Sequence, residues 1–324
     1  MTTGRINPDG KLYYPPLVEA QIKSLVPFLE FHRVVIVYSF RIFTLWKTTR
    51  ELKAKAAEVD IVHSQYGSLT SFLACLTSGG KPLIISFGGS DLLGTGARGF
   101  LPWLRYKFTF WLGHWAAQRS RRIIVKSRNL LETLPSDVRN KAIIIPNGVN
   151  VTLFRPQDKA LARRKLQWRE NAHYIVFTPS RANNIIVKNV TLASEVMNVV
   201  KQTLPDTTLE LILDKSPEEI ADMMNAADCL LLTSLHEGSP NVIKEAMACN
   251  LPVVTVNVGD VSERLASVRP SCVVNSYDPW MISQKILEIL LENKRSNGHG
   301  EIKKQLLTEE SIAVRILDLY NEIM

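Results

Sequence analysis

The sequence predicts an α/β protein with two doubly wound, Rossmann-like domains that face each other across a cleft. Short runs of β-branched residues alternate with amphipathic stretches, which is the pattern of a parallel sheet covered by helices on both faces. The pattern occurs twice, and the turn-forming segment Pro146-Asn-Gly-Val149 separates the two series. A chain of 324 residues also suits two domains better than one core. We therefore expect domains at 1–150 and 151–324.

The first domain is predicted from runs of apolar residues and the amphipathic stretches between them. Its expected strands are 33–38, 61–64, 83–87, 123–126 and 142–145. Its expected helices are 17–29, 42–57, 69–77 and 101–120. The turn-rich stretch 4–14 leads straight into the first helix, and the three residues ahead of it cannot form the central strand with which such a sheet begins. We expect a shortened N-terminus that lacks this strand.

The second domain repeats the alternation of strands and helices. Its expected strands are 174–178, 209–213, 229–233, 253–256 and 272–274. Its expected helices are 190–202, 217–226, 240–249, 279–292 and 311–323. The basic stretch 159–169, which follows the junction, is predicted to be a solvated helix. In sheets of this kind ligands lie at the carboxyl ends of the strands, so we search for functional residues there.

Composition and charge restrict the classes of function. No run of about 18 apolar residues occurs and the N-terminus lacks the apolar core of a signal peptide, so we expect a cytoplasmic protein without a membrane span. The scattered cysteines suggest neither a metal site nor disulfides (Cys75, Cys229, Cys249 and Cys272). The net charge of +8 favours anionic partners such as nucleotides, phospholipids, lipid-linked phosphates or nucleic acid, and charge alone does not choose among them.

One candidate site follows the predicted strand 229–233. Ser239 is a good N-cap and Pro240 suits the first helical position, so free N–H groups and a helix dipole would meet a diphosphate at the end of this strand. Gly238 allows the backbone to approach a ligand closely. Glu237 and Glu245 are better suited to hydroxyls of ribose and hexose than to phosphate. The alternative is a capped helix with two surface glutamates.

A second cluster follows the predicted strand 174–178. Ser180 and Arg181 come directly after this strand, and Lys188 opens a later helix. Two cations at a strand's carboxyl end can neutralise a pyrophosphate and stabilise the charge that develops on a leaving group. The alternative is that these cations are ordinary surface residues.

The two clusters together resemble retaining glycosyltransferase family 4. Glu237 and Glu245, followed by Ala-Met-Ala-Cys-Asn-Leu-Pro-Val-Val254, resemble its E-x7-E signature, and Ser180-Arg181 with Lys188-Asn189 resembles its diphosphate clamp. The residues around Glu237 and the later segment Val258-Gly-Asp-Val261 most resemble the branch that includes the teichuronic acid biosynthesis glycosyltransferase. The resemblance implies the two-domain GT-B fold, in which the C-terminal helix can cross back to the first domain.

The resemblance also implies an activity and roles for the residues. The enzyme would transfer a sugar with retention and without a metal from a UDP-sugar or GDP-sugar, to a glycan or lipid-linked saccharide of capsule or cell wall. Glu237 would lie beside the transferred sugar, and Glu245 would bind the ribose. Arg181 and Lys188 would hold the pyrophosphate. Phosphate would also meet the amides of Ser239, Asn241 and Val242, whereas Pro240 has no N–H to donate.

The acceptor side departs from the family pattern. Gly88-Gly89-Ser-Asp91 stands where many relatives have His-Gly-x-Asp, so Gly88 replaces a histidine that would contact the donor sugar. His63, at the end of a neighbouring predicted strand, is a candidate to supply that imidazole, although a core or loop histidine is the alternative. The paired glycines still allow close backbone approach, and Asp91 could bind acceptor hydroxyls.

The segment 97–122 carries three tryptophans, four other aromatic residues and several cations. This combination suits peripheral contact with an anionic membrane, which we expect at the inner face of the cell membrane. The alternative is a core helix whose aromatic side chains pack on the sheet.

Other functions remain possible on the same fold. These are a GT-B epimerase or phosphorylase, and a non-catalytic protein that binds sugar, nucleotide or nucleic acid. The presence of Arg181, Lys188, Glu237 and Glu245 together favours the enzyme, because a decayed enzyme would be free to lose them. We therefore predict a glycosyltransferase and no nucleic-acid partner.

Overall fold

The structure, a computed structural model, describes residues 2–3, 5–6, 12–13, 16–30, 35–36, 42–93, 99–179 and 185–324. The chain forms two compact units. The first comprises Met1–Asn147 and Glu309–Met324, and the second comprises Gly148–Thr308. The division falls at Asn147 rather than at residue 150, and the C-terminal helix belongs to the first unit, as the GT-B fold allows.

The elements alternate along the described residues as the sequence predicts. The strands are β1 (Thr2–Thr3), β2 (Arg5–Ile6), β3 (Leu12–Tyr13), β4 (Val35–Ile36), β5 (Val62–Gln65), β6 (Leu83–Ser86), β7 (Arg122–Val125), β8 (Ala142–Ile144), β9 (His173–Phe177), β10 (Thr207–Leu211), β11 (Cys229–Leu232), β12 (Val253–Val256) and β13 (Cys272–Val274). The helices are α1 (Pro16–Leu25), α2 (Ile42–Ala57), α3 (Leu69–Thr77), α4 (Ser90–Leu93), α5 (Phe100–Arg119), α6 (Arg128–Thr133), α7 (Ser136–Arg139), α8 (Lys159–Leu166), α9 (Ile185–Lys188), α10 (Val190–Thr203), α11 (Pro217–Ala226), α12 (Asn241–Ala248), α13 (Val261–Leu265), α14 (Pro279–Glu292), α15 (Gly298–Lys304) and α16 (Glu309–Ile323).

The first unit contains a parallel sheet in the order β5-β6-β7-β8. In addition, β1 pairs in parallel with β4, with Thr2 opposite Val35 and Thr3 opposite Ile36. Two extended residues ahead of residue 4 therefore form a short ladder, which is a separate sheet from β5-β6-β7-β8. The expectation that the domain lacks its first central strand stays a prediction. Alternate residues of the sheet face opposite sides. Ile85 and Ile123 pack in one core cluster, while Ile84 packs with residues of α16 in another.

The second unit contains a five-stranded parallel sheet in the order β10-β9-β11-β12-β13. Its first strand in the chain, β9, lies between the second, β10, and the third, β11. The strand order therefore reverses between β9 and β11, and this topological switch point is where a doubly wound sheet binds ligands. The buried residues of the strands and of α10, α12 and α14 form one continuous core. The predicted class of two parallel α/β domains is confirmed.

Some helix boundaries differ from the predictions. The helix predicted at 17–29 ends at Leu25, and the one predicted at 159–169 ends at Leu166 because Gln167 adopts a left-handed conformation with φ of 59°. This second helix is not simply solvated. Arg163 is buried, and its guanidinium forms an ion pair of 2.9 Å with the carboxylate of Asp228.

Two further findings bear on the sequence predictions. In the described ranges, no helix combines the length and the apolar character needed to cross a bilayer. All four cysteines are free thiols, with Cys229 and Cys249 buried and the other two half-buried.

Candidate active site

The two predicted clusters of the second unit follow the two strands that flank its switch point. Lys188 ends α9, which follows β9, and Glu237 lies in the loop after β11. Ser180 and Arg181, which belong to the first cluster, lie outside the described residues. Lys188 and Glu237, distant in sequence, therefore meet at one place because they follow neighbouring parallel strands.

Lys188 and Glu237 form an ion pair, with 2.6 Å between Nζ and Oε1. The same carboxylate oxygen accepts a hydrogen bond of 2.8 Å from the hydroxyl of Ser234, which is fully buried. The lysine and glutamate side chains keep 21% and 17% of their surface exposed. The pair is thus held in a defined geometry while remaining accessible to a ligand.

The backbone around this pair is tied to the loop after β11. The buried hydroxyl of Thr233 donates to the carbonyl oxygens of Lys188 at 2.9 Å and of Asn189 at 3.1 Å. Leu235 N–H donates to the carbonyl of Val187 at 2.8 Å. These bonds fix the end of α9 against the loop that carries the glutamate. The sequence did not single out Thr233, because its role depends on this long-range contact.

The helix after Glu237 begins later than predicted. It starts at Asn241, and Pro240 precedes it with ψ of 119°, so Pro240 is not the first helical residue and Ser239 is not its N-cap. The hydroxyl of Ser239 instead donates to Oδ2 of Asp260 at 2.9 Å. The first N–H groups of α12, which include that of Val242, lie at the positive end of the helix dipole. They remain suited to an anion.

A buried polar network lies behind this loop. Oδ2 of Asp260 also accepts from Nε of Arg264 at 2.9 Å, and Nζ of Lys244 is 3.3 Å from the Ser239 hydroxyl. Lys244 is only 1% exposed. Asp260 and Arg264 are buried as well. These three residues were missed by the sequence analysis, although Asp260 belongs to the quoted segment Val258-Gly-Asp-Val261.

Gly259, in the turn that also contains Asp260, brings the backbone of this turn into contact with the loop after β11. Its φ is +59°, and a Cβ atom there would lie 2.7 Å from the carbonyl oxygen of Gly238. A side chain at position 259 would therefore displace the loop that carries Glu237. Gly238 is buried at this contact, so its role includes close packing within the protein.

Glu245 lies within α12, one turn beyond its start, and is half-buried. Burial raises the pKa of its carboxyl to about 7, against the opposing effect of the neighbouring Lys244 ammonium. No hydrogen bond or ion pair of this carboxylate is found among the residues that the structure describes. A ligand with hydroxyl groups could therefore satisfy it.

Thr178 is another candidate that the sequence analysis passed over. It follows β9 directly, and its hydroxyl oxygen is buried without a hydrogen-bond partner in the described part of the chain. An unsatisfied buried hydroxyl at the switch point suits a phosphate or sugar oxygen. Its position at the end of the predicted strand 174–178 could have identified it from the sequence.

The predicted acceptor-side residues lie in the first unit. Both carboxylate oxygens of Asp91 accept backbone N–H groups, from Gly88 at 3.0 Å, Gly89 at 2.8 Å and Gly67 at 2.8 Å. Burial nevertheless raises the pKa of this carboxyl, because desolvation outweighs the backbone N–H donors. Asp91 therefore joins the loops after β5 and β6, which is a structural role that the sequence did not predict.

A side chain at Gly88 would make close contact with a neighbouring ring. A Cβ atom at Gly88 would lie 3.0 Å from Cε1 of Tyr66, whose own φ is +75°. His63 does not point to a vacant position either. Its Nδ1 is 2.6 Å from the hydroxyl of Tyr320 and its Nε2 is 2.7 Å from the hydroxyl of Ser86. This geometry favours the structural alternative for His63, since both ring nitrogens bind within the unit.

Two parallel α/β units, the second with a cation–carboxylate pair at its switch point, fit the class of two-domain enzymes with the GT-B fold. Comparison with known families agrees with this class. Residues 10–153 match the family model described as Glycosyltransferase Family 4, and residues 174–292 match the model described as Glycosyl transferases group 1. The chain is therefore a glycosyltransferase with the GT-B fold.

Individual relatives are distant. An uncharacterized glycosyltransferase of Methanocaldococcus jannaschii is 25% identical over 82% of this chain and 76% of its own length. The UDP-Gal:alpha-D-GlcNAc-diphosphoundecaprenol alpha-1,3-galactosyltransferase of Escherichia coli is 25% identical over 60% of each chain. Among solved structures, Anabaena HepE in complex with UDP and glucose superposes with a TM-score of 0.74 at 14% identity, covering 99% of this chain and 98% of HepE.

Proposed function

We propose that this glycosyltransferase transfers a sugar, with retention of anomeric configuration, from a nucleoside diphosphate sugar to a glycan or a lipid-linked saccharide. The observation that carries the proposal is the Lys188–Glu237 pair at the switch point. The helix that follows adds the carboxylate of Glu245, for which the described residues supply no hydrogen bond or ion pair. A cation, a carboxylate and a helix start at one strand end suit a ligand that carries both phosphate and hydroxyl groups.

Each part of the donor has a matching group in the second unit. The ribose hydroxyls would donate to Glu245, and the diphosphate would meet the first N–H groups of α12 and the ammonium of Lys188. The predicted partner Arg181 would add a second cation. Two likenesses support a UDP-sugar: HepE has been solved with UDP and glucose, and the name of the Escherichia coli relative specifies UDP-Gal. A GDP-sugar is the other expected donor.

The reaction needs charge stabilisation more than a strong base. The bond between the anomeric carbon and the diphosphate oxygen breaks, and an acceptor hydroxyl forms its bond to the same face of that carbon. The proton of this hydroxyl passes to the departing diphosphate, so nucleoside diphosphate and glycosylated acceptor are the products. Lys188 would stabilise the charge on the leaving group, and Glu237 would orient the ammonium and bind a sugar hydroxyl.

In this proposal the cations of the chain neutralise the diphosphate and no divalent metal takes part. The acceptor would bind to the first unit, near the loops joined by Asp91. Synthesis of capsular or cell-wall polysaccharide at the inner face of the cell membrane is the proposed setting. This setting is supported by the resemblance of the residues around Glu237 to the teichuronic acid branch.

The test is nucleotide release by the full chain from a panel of UDP-, GDP- and ADP-sugars, with and without EDTA. We expect release from one donor class that EDTA does not change, and nuclear magnetic resonance of the product should show the donor's anomeric configuration. Loss of turnover in EDTA, or an inverted product, would contradict the corresponding part of the mechanism. Failure to bind any of these nucleotides in calorimetry would overturn the donor assignment.

A further inference from the structure

The N-terminal half of α5 presents large apolar side chains to solvent. Trp103 is 51% exposed and Trp111 is 57% exposed, and four more apolar side chains of this half are at least 48% exposed. Together these six residues, which we call the α5 face, are Phe100, Leu101, Trp103, Leu104, Phe108 and Trp111. At about 100° per residue they share one side of the helix, where a surface helix of a globular protein normally carries polar residues.

The other half of the same helix is firmly packed in the first unit. Leu112 is buried, and the ring of Trp115 lies 5.2 Å from that of Phe72 in α3. A Cβ atom at Gly113 would lie only 2.0 Å from the carbonyl oxygen of Gly67. The helix is thus seated against the loop after β5, and its exposed half is an extension of a rigid element.

The charge within the α5 face is of one sign. Residues 100–111 contain two cations and no Asp or Glu. Arg105 and Lys107 lie among the exposed apolar residues and are exposed themselves, with Nζ of Lys107 5.9 Å from the centre of the Trp103 ring. Aromatic and aliphatic side chains interleaved with cations are the composition of helices that lie in a membrane interface.

We infer that the α5 face docks on the surface of an anionic lipid bilayer. The apolar rings would enter the interface, and the cations would meet lipid phosphates. Charge complementarity distinguishes this occupant from a second copy of the chain, because two copies would bring like-charged surfaces together.

Docking would also place the acceptor side of the first unit at the lipid surface. The hydroxyl of Tyr106 in α5 donates to the carbonyl of Leu92 at 2.7 Å, next to Asp91, which joins the loops after β5 and β6. The first unit would then bind a lipid-linked acceptor at the membrane that contains it. This consequence rests on the proposed function, whereas the docking itself does not.

The experiment is flotation of the full chain with vesicles of phosphatidylglycerol and phosphatidylcholine, against vesicles of phosphatidylcholine alone. Two double variants test the face: Phe108→Ser with Trp111→Ser, and Arg105→Glu with Lys107→Glu. The matched controls lie in the second unit. Trp280→Ser replaces a tryptophan that is 61% exposed, and Lys201→Glu with Lys303→Glu reverses two exposed lysines.

We expect salt-sensitive binding to the anionic vesicles, weakened at least about tenfold by either double variant and unchanged by the controls. Circular dichroism should show that the variants fold, as these side chains make few internal contacts. The inference is overturned if the unaltered chain does not float with anionic vesicles, or if the α5 variants float as well as it does. It is also overturned if the unaltered chain does not bind vesicles but sediments as a dimer, and the α5 variants sediment as monomers. Nucleotide release from soluble donors, measured in parallel, separates failure of docking from failure of the proposed function.

Discussion

Lys188 and Glu237 lie 49 residues apart in the chain, yet their side chains are joined at 2.6 Å. If the ammonium stabilises the leaving diphosphate, Lys188→Met should lower kcat about a hundredfold or more, and Glu237→Gln should also lower it. Steady-state kinetics with the identified donor would measure both. Since the two residues act as a unit, the double variant should lose little more than the worse single variant.

The control for this prediction is another Lys–Glu pair of the second unit. Lys215 and Glu219 are 3.1 Å apart, and both are well exposed on the surface. Lys215→Met should leave kcat within about twofold of the parent, because exposed pairs contribute little. Equal losses at positions 188 and 215 would contradict the assignment of the Lys188–Glu237 pair to the reaction.

Glu245 should make stability depend on pH. Burial raises the pKa of its carboxyl to about 7 in the folded chain, whereas an unfolded glutamate titrates near its ordinary value of about 4.3. Between these pH values the folded chain holds a proton that the unfolded chain has released, so stability falls as the pH rises. We expect Glu245→Gln to raise the free energy of unfolding more at pH 8 than at pH 5, by roughly 2 to 3 kcal/mol. Urea unfolding at both pH values measures this.

The same titration should appear in donor binding. The ionised carboxylate is the stronger acceptor for ribose hydroxyls, so the KM for the donor should fall as the pH rises through about 7. In Glu245→Gln the KM should be higher and its dependence on pH should be lost. An unchanged pH profile in this variant would assign the titration to another group.

Asp260 should act as a positioning residue through Ser239. Asp260→Asn removes the charge that Arg264 faces, which should cost about 3 kcal/mol of stability, and it loosens the loop after β11, which should raise the donor KM. Asp228→Asn is the matched control, because Asp228 forms a buried pair with Arg163 at 2.9 Å in the same unit. It should destabilise the fold similarly and leave KM unchanged. Equal KM values for the two variants would reduce Asp260 to a purely structural role.

Gly259 tests the backbone contact of the same turn. Gly259→Ala would place a methyl group 2.7 Å from the Gly238 carbonyl at a φ of +59°, so it should lower stability by about 1 to 3 kcal/mol and raise the donor KM. Gly300→Ala, where no atom lies within 4 Å of the added Cβ, should leave both quantities nearly unchanged or slightly raise stability. Thermal unfolding and kinetics of the two variants decide the matter.

In the first unit, the bond between Tyr320 and His63 should stabilise the docking of α16. Tyr320→Phe leaves the half-buried imidazole without this partner and should cost about 1 to 2 kcal/mol, measured by urea unfolding. Tyr277→Phe, which removes a weaker bond of 3.2 Å to the Ser234 carbonyl, should cost less. Burial also lowers the pKa of His63 well below its usual value, so its contribution to stability should be lost as the pH falls below about 6.5.

The order of elements was predictable because each strand and helix carries its own periodicity. The strand at Val253–Val256 and the helices at Leu69–Thr77 and Pro217–Ala226 begin and end at the predicted residues. The segment around Ser239 was predicted less well. A serine and a proline before an amphipathic run favour an N-cap, but here the serine hydroxyl meets Asp260, which a local pattern does not reveal.

The sequence by itself therefore determined the fold class and the placement of Lys188 and Glu237 after strands, because apolar periodicity and turn residues are local properties of the chain. Only the tertiary structure decided which side chains meet. The pairing of Lys188 with Glu237, the anchoring of Ser239 by Asp260 and the engagement of His63 with Tyr320 all join distant segments. Such contacts depend on the strand order and on how side chains pack, and these are set by the whole chain at once.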